Sequence, residues 1–239
     1  MTTGEADWLL DRVRFDPMPP GLYARVHPAT VGDPPVATDP KGANPHSRAR
    51  LALGPHLVPG APARGMVYLS TTPAGALFEA LLRQADWYGP KRLGLPAYRL
   101  AGQRLSLLRL KRELAVLPVD LPDRQRIADP GSWRDARWRE LLSVDDHRDT
   151  HAAAAAVYDQ VVAGGDVHTG LTWGSVQQRG ATIYLLYQPP FDPADWNHED
   201  TFELDTPKGQ QRIADWLAAA GYTWLGDPIA GVTPISGVL

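Results

Sequence analysis

Cysteine is absent from this 239-residue sequence, which excludes disulfides, thiolate nucleophiles and cysteine-held zinc or iron–sulfur sites. Long apolar runs are absent too. No stretch reaches the roughly 18 consecutive apolar residues that a membrane span needs. The opening MTTGEADWLLDRVRF mixes acids and arginines with its apolar residues and does not read as a signal peptide. A cytoplasmic protein is the expectation. Excess charge of one sign is also missing. A formal net charge of -3 and a pI near 6.1 give no drive toward phosphate backbones or anionic lipid, which argues against direct nucleic-acid binding.

Several catalytic signatures are lacking as well. The glycines at 164–165 and 170–174 have neither the lysine nor the spacing of a nucleotide-binding loop. Trp173 and Gln177 occupy the places where a serine-hydrolase elbow needs glycine, so Ser175 is not such a nucleophile. His147 and His151 are four apart, but Thr150 reads as a helix start between them and no His-Glu-x-x-His occurs; no metal site is expected.

The sequence does contain enough apolar residues, 44% against 21% charged, to bury a full core, and a single domain is expected. Its 23 prolines and 22 glycines cluster in connections, as in a loop-rich α+β protein. Residues 5–14 carry a helical stripe. Alternation predicts a strand in LYARVHP after Gly21, with Leu22, Ala24 and Val26 on one face and Tyr23, Arg25 and His27 on the other. Residues 28–64 form a long irregular excursion. GMVYLS (65–70) is a short buried strand. Thr72 caps a helix that starts at Pro73 and runs through AGALFEALLRQADWYG. Further strands are expected over 97–101, 104–110, 114–119 and 181–188, and helices over 132–142, 150–163 and 207–220. GLTWGS (170–175) reads as an edge or turn.

Three places carry candidate chemistry. Glu79 sits among Phe78, Ala80, Leu81 and Leu82, where an unpaired carboxylate is costly, although helix glutamates are usually solvated. Arg25 taken alone reads first as a structural ion pair, although its planar guanidinium also suits bidentate phosphate recognition; Arg48 and Arg50 in the long loop could add a second phosphate contact. Ser175 follows Trp173-Gly174 and reads as a hydrogen-bonding residue or a simple turn serine.

Leu-Tyr-Ala-Arg25-Val, then Val-Tyr68-Leu-Ser leading to Ala-Leu-Phe-Glu79, then Gly-Leu-Thr-Trp-Gly-Ser175 together resemble, in order and context, the RES domain family. The resemblance spans roughly residues 20–190, with 191–239 as a C-terminal extension of a single catalytic domain. It implies an ADP-ribosyltransferase-like α+β fold, a split β-sheet with flanking helices, and NAD⁺ as substrate. It also implies a toxin that cleaves the nicotinamide–ribose bond, as an NAD⁺ phosphorylase or glycohydrolase with inorganic phosphate or water as acceptor, held inactive by a cognate antitoxin. An ADP-ribosyltransferase acting on a protein, and a noncatalytic phosphate-recognising module, are the alternatives.

On this resemblance Glu79, Arg25 and Ser175 form the catalytic set. Arg25, Tyr68 and either Arg48 or Arg50 join Glu79 and Ser175 in holding NAD⁺. The chemistry agrees, since cleavage at the ribose passes through an oxocarbenium-like state that a carboxylate stabilises.

Overall fold

The computed structural model describes residues 10–11, 13–47, 49, 51–61, 64–120, 127–143, 147–163, 170–227 and 234. Among these, one sheet of eight strands runs in the order β1-β9-β10-β11-β5-β2-β8-β12. The strands are β1 (Asp16–Met18), β2 (Gly21–Pro28), β5 (Gly65–Ser70), β8 (Gln103–Leu110), β9 (Leu114–Pro118), β10 (Gly170–Gly174), β11 (Thr182–Gln188) and β12 (Trp196–Glu203). Two small accessory sheets join β3 (Thr30–Val31) to β4 (Val36–Ala37), and β6 (Asp86–Gly89) and β13 (Thr223–Trp224) to β7 (Arg92–Gly94). The helices are α1 (Pro73–Ala80), α2 (Trp133–Ser143), α3 (His147–Ala163) and α4 (Pro207–Ala219).

Strand alternation assigns the two faces. On one face, Leu117, Leu171, Leu185, Tyr187 and Met66 pack with Trp138 and Leu141 of α2 and with Ala153, Val157 and Tyr158 of α3. On the same face, farther along the sheet, Ala24 and Leu105 pack with Leu77 and Phe78 of α1 and Ile213 and Leu217 of α4. The opposite face buries Tyr23, Val67, Leu69, Leu108, Tyr184 and Trp196 together. β11 explains its central place by composition, because β-branched, leucine and tyrosine residues run through it unbroken and it is buried on both faces. At the edge, β12 carries exposed Glu199 and Asp200 and a bulge between His198 and Asp200, which discourages pairing with another chain.

β5 and β2 register through one residue pair only, Ala24 with Ser70, whereas β2 and β8 pair along eight residues. The α+β sheet is therefore split at its middle, between the α2/α3 half and the α1/α4 half.

Most expected elements form, and the departures have physical causes. The helix expected over 5–14 falls largely outside the described residues; its described members, Leu10, Asp11, Val13 and Arg14, are not helical. α1 stops at Ala80 instead of running to residue 89. The chain beyond it becomes a short 3-10 turn and then β6, because Trp87 with Leu93 and Leu95 is drawn into the core under α1. Tertiary burial overrides the helical propensity of that stretch. Residues 97–99 form a 3-10 turn after Pro96 rather than a strand. GLTWG is an internal strand between β9 and β11, not an edge. α3 begins at His147, so Thr150 lies inside it, and β12 was not foreseen. The excursion 28–64 is irregular but not loose: Leu51, Ala52 and Leu53 are fully buried against the α2/α3 half.

Candidate active site

The site is built where α1 meets β5 and the end of β10. Thr72 has extended backbone, its hydroxyl accepts from Gly75 N at 3.0 Å, and Pro73 occupies the first turn, so the helix starts where its sequence says. Ser70, the last residue of β5, accepts from Thr72 N at 3.2 Å. Gly75 then permits a close approach: a Cβ there would lie 2.4 Å from Ser70 Oγ and 2.7 Å from Ala181 Cβ. Glu79 follows four residues later on the same helix face. Its direction is thus fixed by the contact that Gly75 makes.

Facing it, Ser175 is 7% exposed. Its Oγ donates to Glu79 Oε1 at 3.0 Å and accepts from Gln178 N at 3.2 Å. The segment 175–181 closes on itself, with Ser175 N donating to Ala181 O at 2.8 Å and Ala181 N to Gln178 O at 3.1 Å. Thr72 Oγ1 donates to Gln178 Oε1 at 3.1 Å, tying this turn to the helix start. On its other side, Asp120 Oδ2 accepts from Gly174 N at 2.9 Å. The second carboxylate oxygen of Glu79 pairs with Arg83 Nη2; the side chains are 13% and 42% exposed respectively. Glu79 is therefore half-sheltered, with one oxygen held by a hydroxyl and the other by a guanidinium.

Tyr68 is half-buried on the helix-bearing face, and its ring meets that of Trp173 edge-on at 6.4 Å. By register Tyr68, Ser70 and Trp173 share this face with Ala24. Ala24 and Ser70 form the seam, and α1, which carries Glu79, bears on it through Gly75, while Tyr68 and Trp173 lie on the α2/α3 side.

Arg25 does not join them. It is the next residue after Ala24 and turns to the opposite face, where it is 6% exposed and its Nη1 donates to Pro40 O and Gly42 O, both at 2.6 Å. Burial lowers its pKa to about 10, against the attraction of Asp39. The expectation that β2 presents Arg25 to a phosphate thus differs from what is found: residues 39–43 cover that face and their carbonyls take the guanidinium. Arg48 and Arg50 lie outside the described residues. Their neighbours are anchored on the α2/α3 half, Ala49 O by His151 Nε2 at 3.1 Å and Leu51 O by the Tyr187 hydroxyl at 3.0 Å.

Sequence reading missed Arg83, Gln178 and Asp120. Only Arg83 had a visible signal, its spacing of four residues after Glu79. A cavity of about 280 Å³ lies beyond Gly174, lined by Asp16, Asp120, Thr172 and Tyr184 among others. Its two carboxylates disfavour a pyrophosphate, and Glu79 does not line it. Among the described residues, no group of three or more His, Cys, Asp or Glu side chains is placed to hold a metal ion, and no helix is long and apolar enough to cross a membrane.

A split α+β sheet with a serine-held carboxylate at its seam defines the class, and sequence comparison gives the family. The RES domain profile matches residues 24–207, a span that includes Arg25, Tyr68, Glu79 and Ser175, and the chain belongs to that family. In structure it is similar to a chain from the crystal structure of the M. tuberculosis MbcT–MbcA toxin–antitoxin complex, with a TM-score of 0.50 and 14% identity over 81% of this chain and 88% of that one. None of the curated proteins matches the sequence.

Proposed function

We propose that this chain is the toxin of a toxin–antitoxin pair and that it consumes NAD⁺ by cleaving the bond between nicotinamide and ribose. The observation that carries the reading is the Glu79 carboxylate held by Ser175 on one oxygen and by Arg83 on the other. Membership of the RES domain family and likeness to a toxin–antitoxin complex support it.

In the reaction, the ribose C1–nitrogen bond breaks with its electron pair leaving on nicotinamide. That bond pair neutralises the pyridinium and leaves an oxocarbenium-like ribose. Glu79 accepts hydrogen bonds from the ribose hydroxyls and offsets the developing positive charge, which a preorganised carboxylate does without reorganisation. Ser175 keeps one carboxylate oxygen aimed, and Tyr68 packs against the nicotinamide riboside. Water then attacks and loses a proton to give ADP-ribose, or inorganic phosphate attacks to give ADP-ribose 1″-phosphate. One arginine of the long loop, Arg48 or Arg50, supplies the pyrophosphate contact. Arg25 serves it from behind, by holding Pro40 and Gly42 in the loop that leads to these arginines. A cognate antitoxin restrains the activity in the cell.

The test is incubation of purified protein with NAD⁺, with and without phosphate, read by product mass. Release of nicotinamide together with ADP-ribose or its 1″-phosphate is expected. Release only when a protein acceptor gains ADP-ribose mass would make the chain a transferase; no release in any arm overturns the reading. Glu79→Gln is expected to fold normally and lose roughly a hundredfold to a thousandfold of the rate, the usual cost of one transition-state electrostatic contact.

A further inference from the structure

The RES match ends at residue 207, yet the chain beyond it reaches back to the site. α4 is capped by Thr206, whose hydroxyl accepts from Gly209 N at 3.1 Å, and it buries Ile213 and Leu217 against α1. It ends in a Schellman turn: Gly221 takes φ +83°, Gly221 N donates to Ala218 O at 2.9 Å and Tyr222 N to Leu217 O at 2.8 Å. Thr223 N then donates to Lys91 O at 2.7 Å, starting the pairing of β13 with β7. Tyr222 is thus held on both sides by backbone bonds, and its side chain has one direction to take.

That direction is toward Phe78 of α1 and the turn that follows Ser175. The Tyr222 ring lies 4.9 Å from the ring of Phe78, the residue before Glu79, and 6.1 Å from Trp87. Its hydroxyl donates to Gln177 O at 3.4 Å, two residues past Ser175. One half-buried side chain therefore touches both the helix that carries the carboxylate and the turn that carries the serine. A residue that only filled the core would need no hydroxyl here, since phenylalanine fills the same space.

We infer that Tyr222 is a positioning residue for the Glu79–Ser175 pair, and that the segment past the family-matched residues completes the site. It acts through Phe78 and Gln177 and does not touch the reacting atoms. The inference rests on the proposed NAD⁺ chemistry for its kinetic consequence, but its structural half stands without it.

Tyr222→Phe keeps the ring and deletes the hydroxyl. Three results are expected together. Amide exchange across 175–181 quickens. kcat for nicotinamide release falls about fivefold, the size of one ordinary hydrogen bond. KM changes less than twofold, because nothing that holds NAD⁺ has been removed. Wild-type exchange across 175–181 in the variant overturns the inference, and so does wild-type kcat in an active enzyme. If the unaltered chain releases no nicotinamide, the functional reading fails by itself, and the exchange result decides whether Tyr222 holds the turn.

Discussion

Glu79 has both carboxylate oxygens engaged before any ligand arrives, and the two partners differ in kind. Arg83 is an exposed i,i+4 partner whose contribution to stability is about 0.3–0.5 kcal/mol. Ser175 is buried, and its hydroxyl also terminates the turn at Gln178. Ser175→Ala removes both bonds at once. We expect the fold to persist, nicotinamide release to fall about tenfold or more, and exchange at the Gln178 amide to quicken; an unchanged rate would remove Ser175 from the site. At this scale the sequence was informative about which side chains meet, since Glu79 and Ser175 are hydrogen-bonded, and poor about orientation. The motifs pointed to Glu79 and Ser175, and alternation correctly set Arg25 apart from Ala24. What covers the Arg25 face is a stretch of Asp39, Pro40, Lys41, Gly42 and Ala43 with no periodicity to read, so the burial of Arg25 was invisible.

Elements were legible where local chemistry decides them and illegible where packing does. Thr72-Pro73 and Thr206-Pro207 announce the starts of α1 and α4, and both caps form. The end of α1 does not follow from its residues: Leu81 to Trp87 would continue a helix, and only burial of Trp87 turns the chain into β6. The approach of α1 to β5 gives a test at the same scale. Alanine is favoured over glycine inside a helix by about 1 kcal/mol. At Gly75 the added methyl meets the buried Ser70 hydroxyl, the Thr72 cap and Ala181, none of which can move freely. Overpacking of this kind costs about 1–3 kcal/mol, so Gly75→Ala is expected to lower the melting temperature despite better helix propensity, and to depress activity by shifting Glu79. A more stable, fully active variant would refute the close-packed seam.

For the whole molecule, the buried His27 sets a limit on acid stability. Its Nδ1 lies 3.0 Å from both the Pro28 carbonyl and the Thr38 hydroxyl, and its Nε2 lies 2.8 Å from Ser106 Oγ. Burial pushes its pKa down to about 4, helped by Arg25 and, more weakly, by Arg104 and His198. The folded value lies below the unfolded one near 6.5, so the unfolded chain binds the extra proton between them. Stability from this group is complete above about pH 6.5 and is lost as pH falls toward 4, a total of about 3 kcal/mol. Denaturant melts at stepped pH should show that decline, and His27→Gln should flatten it. Equal slopes in both proteins would show that His27 is not the cause.

The single Ala24–Ser70 junction between β2 and β5 has a mechanical side. In its backbone ladder the sheet is two plates joined by one rivet, with Tyr23, Val67, Leu69 and Tyr184 packed across the joint on one face and the Gly75 contact of α1 bearing on it from the other. A molecule lodged there and gripped from both plates stiffens the joint, so occupancy would be readable as a rise in the force or heat needed to part the halves.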